Sequence, residues 1–185
     1  KYFDAAINHA NSTAQYNVRD DYSVYHTYDF NPQTGEPVGG FNEGGYEDES
    51  CWSRGQAWTI YGFVIAYRHT KNEKYLQLAK NLIEYFTVNL EEDLVPLWDF
   101  KLPEGAELLR DTSASAIVAA GLLELSNLLI CDEKRKDYRE LALNMLKSIK
   151  DNYSSAGDHS VQGIMPKCFR RIEGVNSHIY SVWGD

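Results

Sequence analysis

Two segments of this chain are apolar almost all the way round a helix, and each is followed by a segment that is apolar on one side only. Residues 57 to 67 carry Trp58, Ile60, Tyr61, Phe63, Val64 and Ile65 with no polar face. A helix of that kind is stable only where neighbours cover it on every side. In the next segment Tyr75, Leu76, Ala79, Leu82, Ile83 and Phe86 form one stripe, while Lys74, Gln77, Lys80 and Glu84 fall opposite it. The pair then recurs. Residues 113 to about 130 are rich in Ala and Leu, and residues 133 to about 152 are one-sided through Tyr138, Leu141, Ala142, Met145 and Ile149. Two concentric layers of helices joined as hairpins produce that order, with an inner layer touched all round and an outer layer half exposed. The small residues Ala114, Ala116, Ala119, Ala120 and Gly121 allow inner helices to approach closely. A simple helical bundle is the plainer alternative. Either way the chain is expected to be all-α.

The ends and joints fit the same frame. Tyr2, Phe3, Ala6, Ile7, Ala10 and Ala14 place a further one-sided helix at residues 1 to about 16. Residues 22 to 30 change to aromatic and β-branched types, and Asn31-Pro32-Gln33-Thr34-Gly35 supplies turn chemistry, so a short β-hairpin is expected across residues 22–40. A Gly-rich acidic loop follows at 39 to 49. Ser53 and Gln56 have capping-box spacing, and Asn72 and Asp111 stand where the third and fourth helices need N-caps. The tail, 153 to 180, reads as loop and short strands. The chain opens directly on a helix and stops abruptly after Trp183, so residues 1–185 are expected to be one domain's portion, cut at both ends.

Composition excludes several classes. At 43% hydrophobic and 24% charged residues the chain is not of the disordered type. Its 18 Lys+Arg against 27 Asp+Glu give a formal net charge of −9, which argues against a nucleic-acid or membrane-surface partner. No apolar run approaches the ~20 residues that span a bilayer. Cys51, Cys131 and Cys168 are odd in number and widely spaced, as free thiols are and disulfide or zinc frameworks are not. A leader would lie before residue 1, so the compartment is not readable from these residues.

The stretch Cys51-Trp52-Ser53-Arg54-Gly55-Gln56-Ala57-Trp58 is the most informative chemically. Arg54 and Trp58 are four apart and share a helix face near its N-terminus, where free N–H groups favour an anion. Arg54 offers a forked donor set for a carboxylate or sulfate, and Trp58 a flat platform for a sugar ring. An ion-paired Arg and a core Trp are the plainer reading of the same spacing. His26 lies among Tyr22, Tyr25 and Tyr28 as a candidate pocket wall or a half-exposed strand histidine. Asp99 and Asp111 are candidate acid–base carboxylates, although turn and capping roles suit both. Glu43, Glu47, Asp48 and Glu49 lack a calcium-loop pattern and read as a solvated loop. A Cys51–His26 nucleophile pair has no local support, and His9, His69, His159 and His178 show no metal-ligand spacing.

Ser53-Arg54-Gly55-Gln56-Ala57-Trp58, followed by Tyr61-Gly62-Phe63, closely resembles a signature of the unsaturated glucuronyl hydrolases, glycoside hydrolase family 88. Further blocks agree in order: Tyr25-His26, Phe30-Asn31-Pro32, Thr34-Gly35-Glu36-Pro37, Val95-Pro96-Leu97-Trp98-Asp99-Phe100, Arg110-Asp111-Thr112-Ser113-Ala114 and Val182-Trp183-Gly184-Asp185. The related unsaturated rhamnogalacturonyl hydrolases are similar in architecture but favour another version of the Arg-Gly block. The resemblance implies an (α/α)6 barrel, of which this chain is the C-terminal half. It implies removal of the unsaturated uronic acid that polysaccharide lyases leave at the non-reducing end of glycosaminoglycan-type oligosaccharides. The reaction is hydration: an Asp protonates the ring double bond at C4, water adds at C5, and the hemiketal collapses. No metal and no organic cofactor is implied. His26, Arg54 and Trp58 match substrate-contacting positions of the family, and a pocket Gln of the family appears here as Gly44. The family's catalytic Asp and its second pocket Asp fall before residue 1, so no catalytic residue is assigned in this chain. The parent is expected to be monomeric, and the fragment to self-associate through apolar inner-helix residues such as Phe63, Ile65, Ile117 and Leu122. A non-catalytic carbohydrate-binding protein on the same toroid is the alternative, because fold does not fix function.

Overall fold

A computed structural model describes residues 1–129, 133–155, 160, 165, 167–172 and 175–179. The element order is α1 (Tyr2–Ser12), β1 (Thr27–Phe30), β2 (Pro37–Phe41), α2 (Ser53–Thr70), α3 (Glu73–Val88), α4 (Thr112–Leu128), α5 (Lys134–Tyr153), β3 (Cys168–Ile172) and β4 (Val175–Ile179). Helix α1 runs into one wide turn, Thr13–Asn17, closed by the Val18 N–H donating to the Thr13 carbonyl at 3.2 Å. Such a turn re-aims the chain without ending it abruptly. Strands β1 and β2 pair antiparallel, as do β3 and β4, and each pair forms its own two-stranded sheet.

Helix α2 packs on both α3 and α4, and α4 packs on α5. Their interface is one continuous core in which Ile60, Val64, Leu82, Phe86, Ala119, Leu122 and Leu125 are fully buried. Phe63 of α2 stacks on Tyr75 of α3 with ring centroids 5.9 Å apart. Helix α4 lies against α2 at Gly121, where a Cβ would just reach van der Waals contact, 3.5 Å from the Tyr61 Cα. Burial sorts the layers as the sequence pattern requires. Phe63 and Ala119 are buried, Lys80 is half-buried, and Glu84 is exposed.

Caps and ends hold in two places and differ in two. The Asn72 side chain accepts from the Lys74 N–H, and the Asp111 side chain accepts from the Ser113 N–H. The Ser53–Gln56 capping box does not form, because tertiary partners take both side chains. Ser53 Oγ donates to the Trp98 carbonyl at 3.1 Å, and Gln56 Nε2 donates to the Tyr22 carbonyl at 2.9 Å. Of the expected apolar edge, Phe63, Ile117 and Leu122 are buried between the helices, whereas Ile65 is half-buried and lines an open cleft. Exposed apolar surface lies instead on α1, where Tyr2 is 88% and Phe3 56% exposed. Residues 181–185 and Cys131 lie outside the described residues.

The layer assignment predicts a contrast between two leucines in adjacent helices. Leu122→Ala in α4, fully buried, is expected to cost about 2–5 kcal/mol of unfolding free energy. Leu143→Ala in α5, 48% exposed, is expected to stay within about 0.5 kcal/mol of wild type. Urea titration of the full-length protein checks both.

Candidate active site

The start of α2 is fixed by a buried carboxylate. Asp99 is fully buried. Its Oδ2 accepts from the Tyr46 N–H at 3.0 Å and Ser50 Oγ at 2.6 Å, and its Oδ1 from the N–H groups of Cys51 at 3.0 Å and Lys101 at 2.8 Å. A carboxylate so saturated with donors pins the acidic loop to the loop before α4, and it has no lone pair left for proton transfer. The turn role expected for Asp99 is therefore the one it fills. Asn42 reinforces the same loop: its Nδ2 donates to the Asp48 and Ser50 carbonyls at 3.0 and 2.8 Å, and its Oδ1 accepts from the His26 N–H at 2.9 Å. His26 thus leaves the strand end held by its backbone, with its ring free to face the cleft.

Arg54, on the first turn of α2, is 4% exposed. Its Nη1 donates to Ser113 Oγ at 2.8 Å and stands 3.5 Å from Asp111 Oδ2, and its Nη2 donates to the Phe169 carbonyl at 2.7 Å. Ser113 Oγ in turn donates to Asp111 Oδ1 at 2.5 Å. Burial pushes the Asp111 carboxyl above its ordinary value, and the Arg54 charge partly offsets that push. Asp111 is therefore a helix cap and counter-charge rather than an exposed acid.

An open cleft of about 730 Å³ runs between α1 and α2. Its wall includes His26, Tyr25, Gly55, Trp58, His9 and His69. Trp58 is 43% exposed along it. His26 and Trp58 therefore share one cleft, while the Arg54 guanidinium does not line it. That corrects the expectation that all three side chains converge there. Positions 54 and 58 do share a helix face, but the long Arg54 side chain turns toward α4, where Asp111 and Ser113 offer acceptors.

Sequence reasoning missed Trp52, whose indole lies between the two halves of the site. Its ring centroid is 4.6 Å from that of His26, and the Arg54 guanidinium carbon lies 4.8 Å from it. Helical spacing conceals this, because residues two apart on a helix do not face each other. Trp52 escapes the rule by being the N-cap, with extended backbone angles of φ −61° and ψ 120°.

The remaining candidates separate cleanly. Cys51 is fully buried, its thiol is pushed up to about 11 by burial, and it contacts Gln56 Oε1 at 3.5 Å, so it forms no nucleophile pair with His26. Glu49 accepts from Tyr25 Oη at 2.9 Å and pairs with Arg19 at 3.6 Å, while Glu43, Glu47 and Asp48 are exposed. Among the described residues no group of three His, Cys, Asp or Glu could hold a metal ion, and no helix is long and apolar enough to cross a membrane. His159 and the side chain of His178 lie outside the described residues.

The family model for Glycosyl Hydrolase Family 88 matches residues 1–168. The chain belongs to this family. It is 42% identical over 156 residues to an unsaturated chondroitin disaccharide hydrolase of Streptococcus pyogenes, covering 84% of this chain and 39% of that protein. The unsaturated glucuronyl hydrolase of Bacillus sp. GL1 superposes with a TM-score of 0.93 at 35% identity, covering all of this chain and 49% of that one. A variant of the Streptococcus agalactiae enzyme complexed with dGlcA-GalNAc6S superposes at 0.78 with 36% identity, covering 99% of this chain and 49% of that one. The chain thus spans about half the length of the relatives it matches, and its helical hairpins are part of the family 88 (α/α)6 toroid.

Removing the Asp99 carboxylate strands four donors in a dry site. Asp99→Ala is expected to lower the stability of the full-length protein by at least about 3 kcal/mol, since each unsatisfied buried donor costs ~1–3 kcal/mol. Thermal unfolding monitored by circular dichroism checks it.

Proposed function

We propose that this chain forms one wall of the substrate site of an unsaturated glucuronyl hydrolase, which removes the non-reducing-end unsaturated uronic acid from lyase-generated oligosaccharides. The observation that carries the reading is the pairing of His26 and Trp58 on one open cleft, beside a buried Arg54, in a family 88 chain. Trp58 presents a flat apolar face on which the face of a sugar ring stacks. The His26 pKa is lowered by burial, which outweighs the opposing pull of the Glu43 charge, and the Arg54 charge adds a smaller push in the same direction as burial. A neutral imidazole hydrogen-bonds a sugar hydroxyl as donor or acceptor. Arg54, tied to Asp111 and Ser113 behind the wall, fixes the first turn of α2 from which Trp58 reaches the cleft.

The reaction adds water across an enol ether. A proton is delivered to C4, water adds at C5, and the resulting hemiketal opens to release the remaining saccharide. The two acid–base candidates of the sequence, Asp99 and Asp111, are both buried in structural contacts, and neither lines the cleft. We therefore assign the proton transfer to an Asp outside residues 1–185, and this chain to substrate positioning in the larger part of the toroid that holds that Asp. Positioned acid–base groups contribute on the order of 10² to 10⁴ in rate.

Two measurements test this reading. The full-length protein is expected to consume an unsaturated chondroitin or hyaluronan disaccharide, followed as loss of the ring double bond's ultraviolet absorbance, while purified residues 1–185 give no turnover. Clear turnover by the fragment would return the search for an acid to Asp48, Asp99 and Asp111, and inactivity of the full-length protein would remove the assignment.

The site variants should divide by burial. In the full-length protein Trp58→Ala is expected to lower kcat/KM by roughly 3- to 10-fold, the scale of a lost stacking contact of about 0.5–1.5 kcal/mol, with an unchanged unfolding temperature. Arg54→Ala is expected to lower both kcat/KM and the unfolding temperature, because it leaves Asp111 buried without its counter-charge. An unchanged kcat/KM in Trp58→Ala would take Trp58 out of the site.

A further inference from the structure

The half-buried Trp52 indole packs against residues that either lack a side chain or belong to the site. A Cβ built on Gly44 would stand 2.8 Å from the Trp52 Cδ2, closer than real Cβ contacts come. A Cβ on Gly55 would stand 3.1 Å from the Trp52 Cε3. The two glycines therefore leave a slot that the indole occupies. On its remaining sides lie the His26 ring, edge-on at 4.6 Å and 65°, and the Arg54 guanidinium at 4.8 Å. The indole Nε1 is buried and has no hydrogen-bond partner among the described residues. A buried N–H left unpaired costs free energy, so packing rather than hydrogen bonding holds this ring in place.

We propose that Trp52 is a positioning residue for the substrate site, and that Gly44 governs selectivity through it. His26 faces the cleft, whereas Arg54 lies behind it, and the Trp52 indole packs against both. The indole couples them mechanically: it limits the tilt of the His26 ring and covers the face of the Arg54 guanidinium. A side chain at position 44 would have to displace the ring, which would tilt His26 and rehydrate both groups. The size of residue 44 thereby sets the shape of the cleft end that holds the uronic acid. This inference rests on the substrate site proposed above.

The test uses the full-length protein and three variants: Gly44→Ala, Trp52→Phe, and the double variant. Gly44→Ala is expected to raise KM for the unsaturated disaccharide by about 5- to 30-fold while kcat changes less than threefold. The double variant, in which the smaller phenyl ring leaves space for the new methyl, is expected to recover most of that loss. A second readout does not depend on turnover. The His26 imidazole titrates low because its ring is desolvated, with Glu43 opposing that effect and Arg54 adding to it less strongly. Moving Trp52 should bring its titration, followed by NMR of the ring protons, back toward the ordinary 6.5. If the wild-type protein turns over no unsaturated substrate, the functional reading fails and the NMR titration alone decides the coupling. Unchanged KM and unchanged His26 titration in both single variants overturn the proposal. So does a fall in unfolding temperature with KM, kcat and His26 titration of the folded protein all unaltered, which would make Trp52 a packing residue only.

Discussion

The Asp99 carboxylate is the point from which the functional part of this fold is assembled. Four donors from two loops, at Tyr46, Ser50, Cys51 and Lys101, converge on its two oxygens inside a dry interior. Helix α2 begins two residues after Cys51, so the place and direction of its first turn follow from that convergence. Arg54 and Trp58 inherit their positions from it, and so does Trp52 immediately before the helix. A water-exposed Asp at the same place would hold the loops only weakly, because in water each of its hydrogen bonds exchanges for one to solvent.

A second buried polar cluster joins the inner helices at the same end. Asp111 caps α4 through Ser113 and receives the Arg54 guanidinium from α2, while the Phe169 carbonyl takes the other guanidinium nitrogen. Three separate parts of the chain meet in one charge pair and its hydrogen bonds. Burying such a pair adds little net stability when its desolvation is counted, but its geometry tolerates little variation. Its contribution is alignment of the N-termini of α2 and α4, beside the cleft wall. The Phe169 ring stacks on Trp98 at 3.9 Å, which holds that carbonyl in place.

The cleft itself is built differently. Its walls are mostly apolar and aromatic residues of α1 and α2, with His9 and His69 among them, and further polar groups, His26 and Tyr25, come from the segment leading into β1. The rigid polar clusters stand behind the wall, and the surface offered to ligand is flat, aromatic and largely uncharged.

The order of buried and one-sided helices, the caps at Asn72 and Asp111, the first hairpin and the family motif were all legible in the sequence, because each depends on residues within a few positions of one another. Periodicity follows from the geometry of one helix, and an N-cap from one side chain and the N–H groups just ahead of it. The failures share a different cause. Ser53 and Gln56 have the spacing of a capping box, yet Trp98 and Tyr22, distant in sequence, offered them better partners. Arg54 shares a helix face with Trp58, yet an acid 57 positions along the chain drew it away from the cleft. Trp52 looked like a neighbour of the motif, but an extended N-cap backbone swung its ring between His26 and Arg54. Local spacing by itself determined which helices form and which faces they bury. Only the tertiary structure decided which polar side chains line the cleft, because a long or flexible group goes to the strongest partner within its reach, and that partner is set by packing.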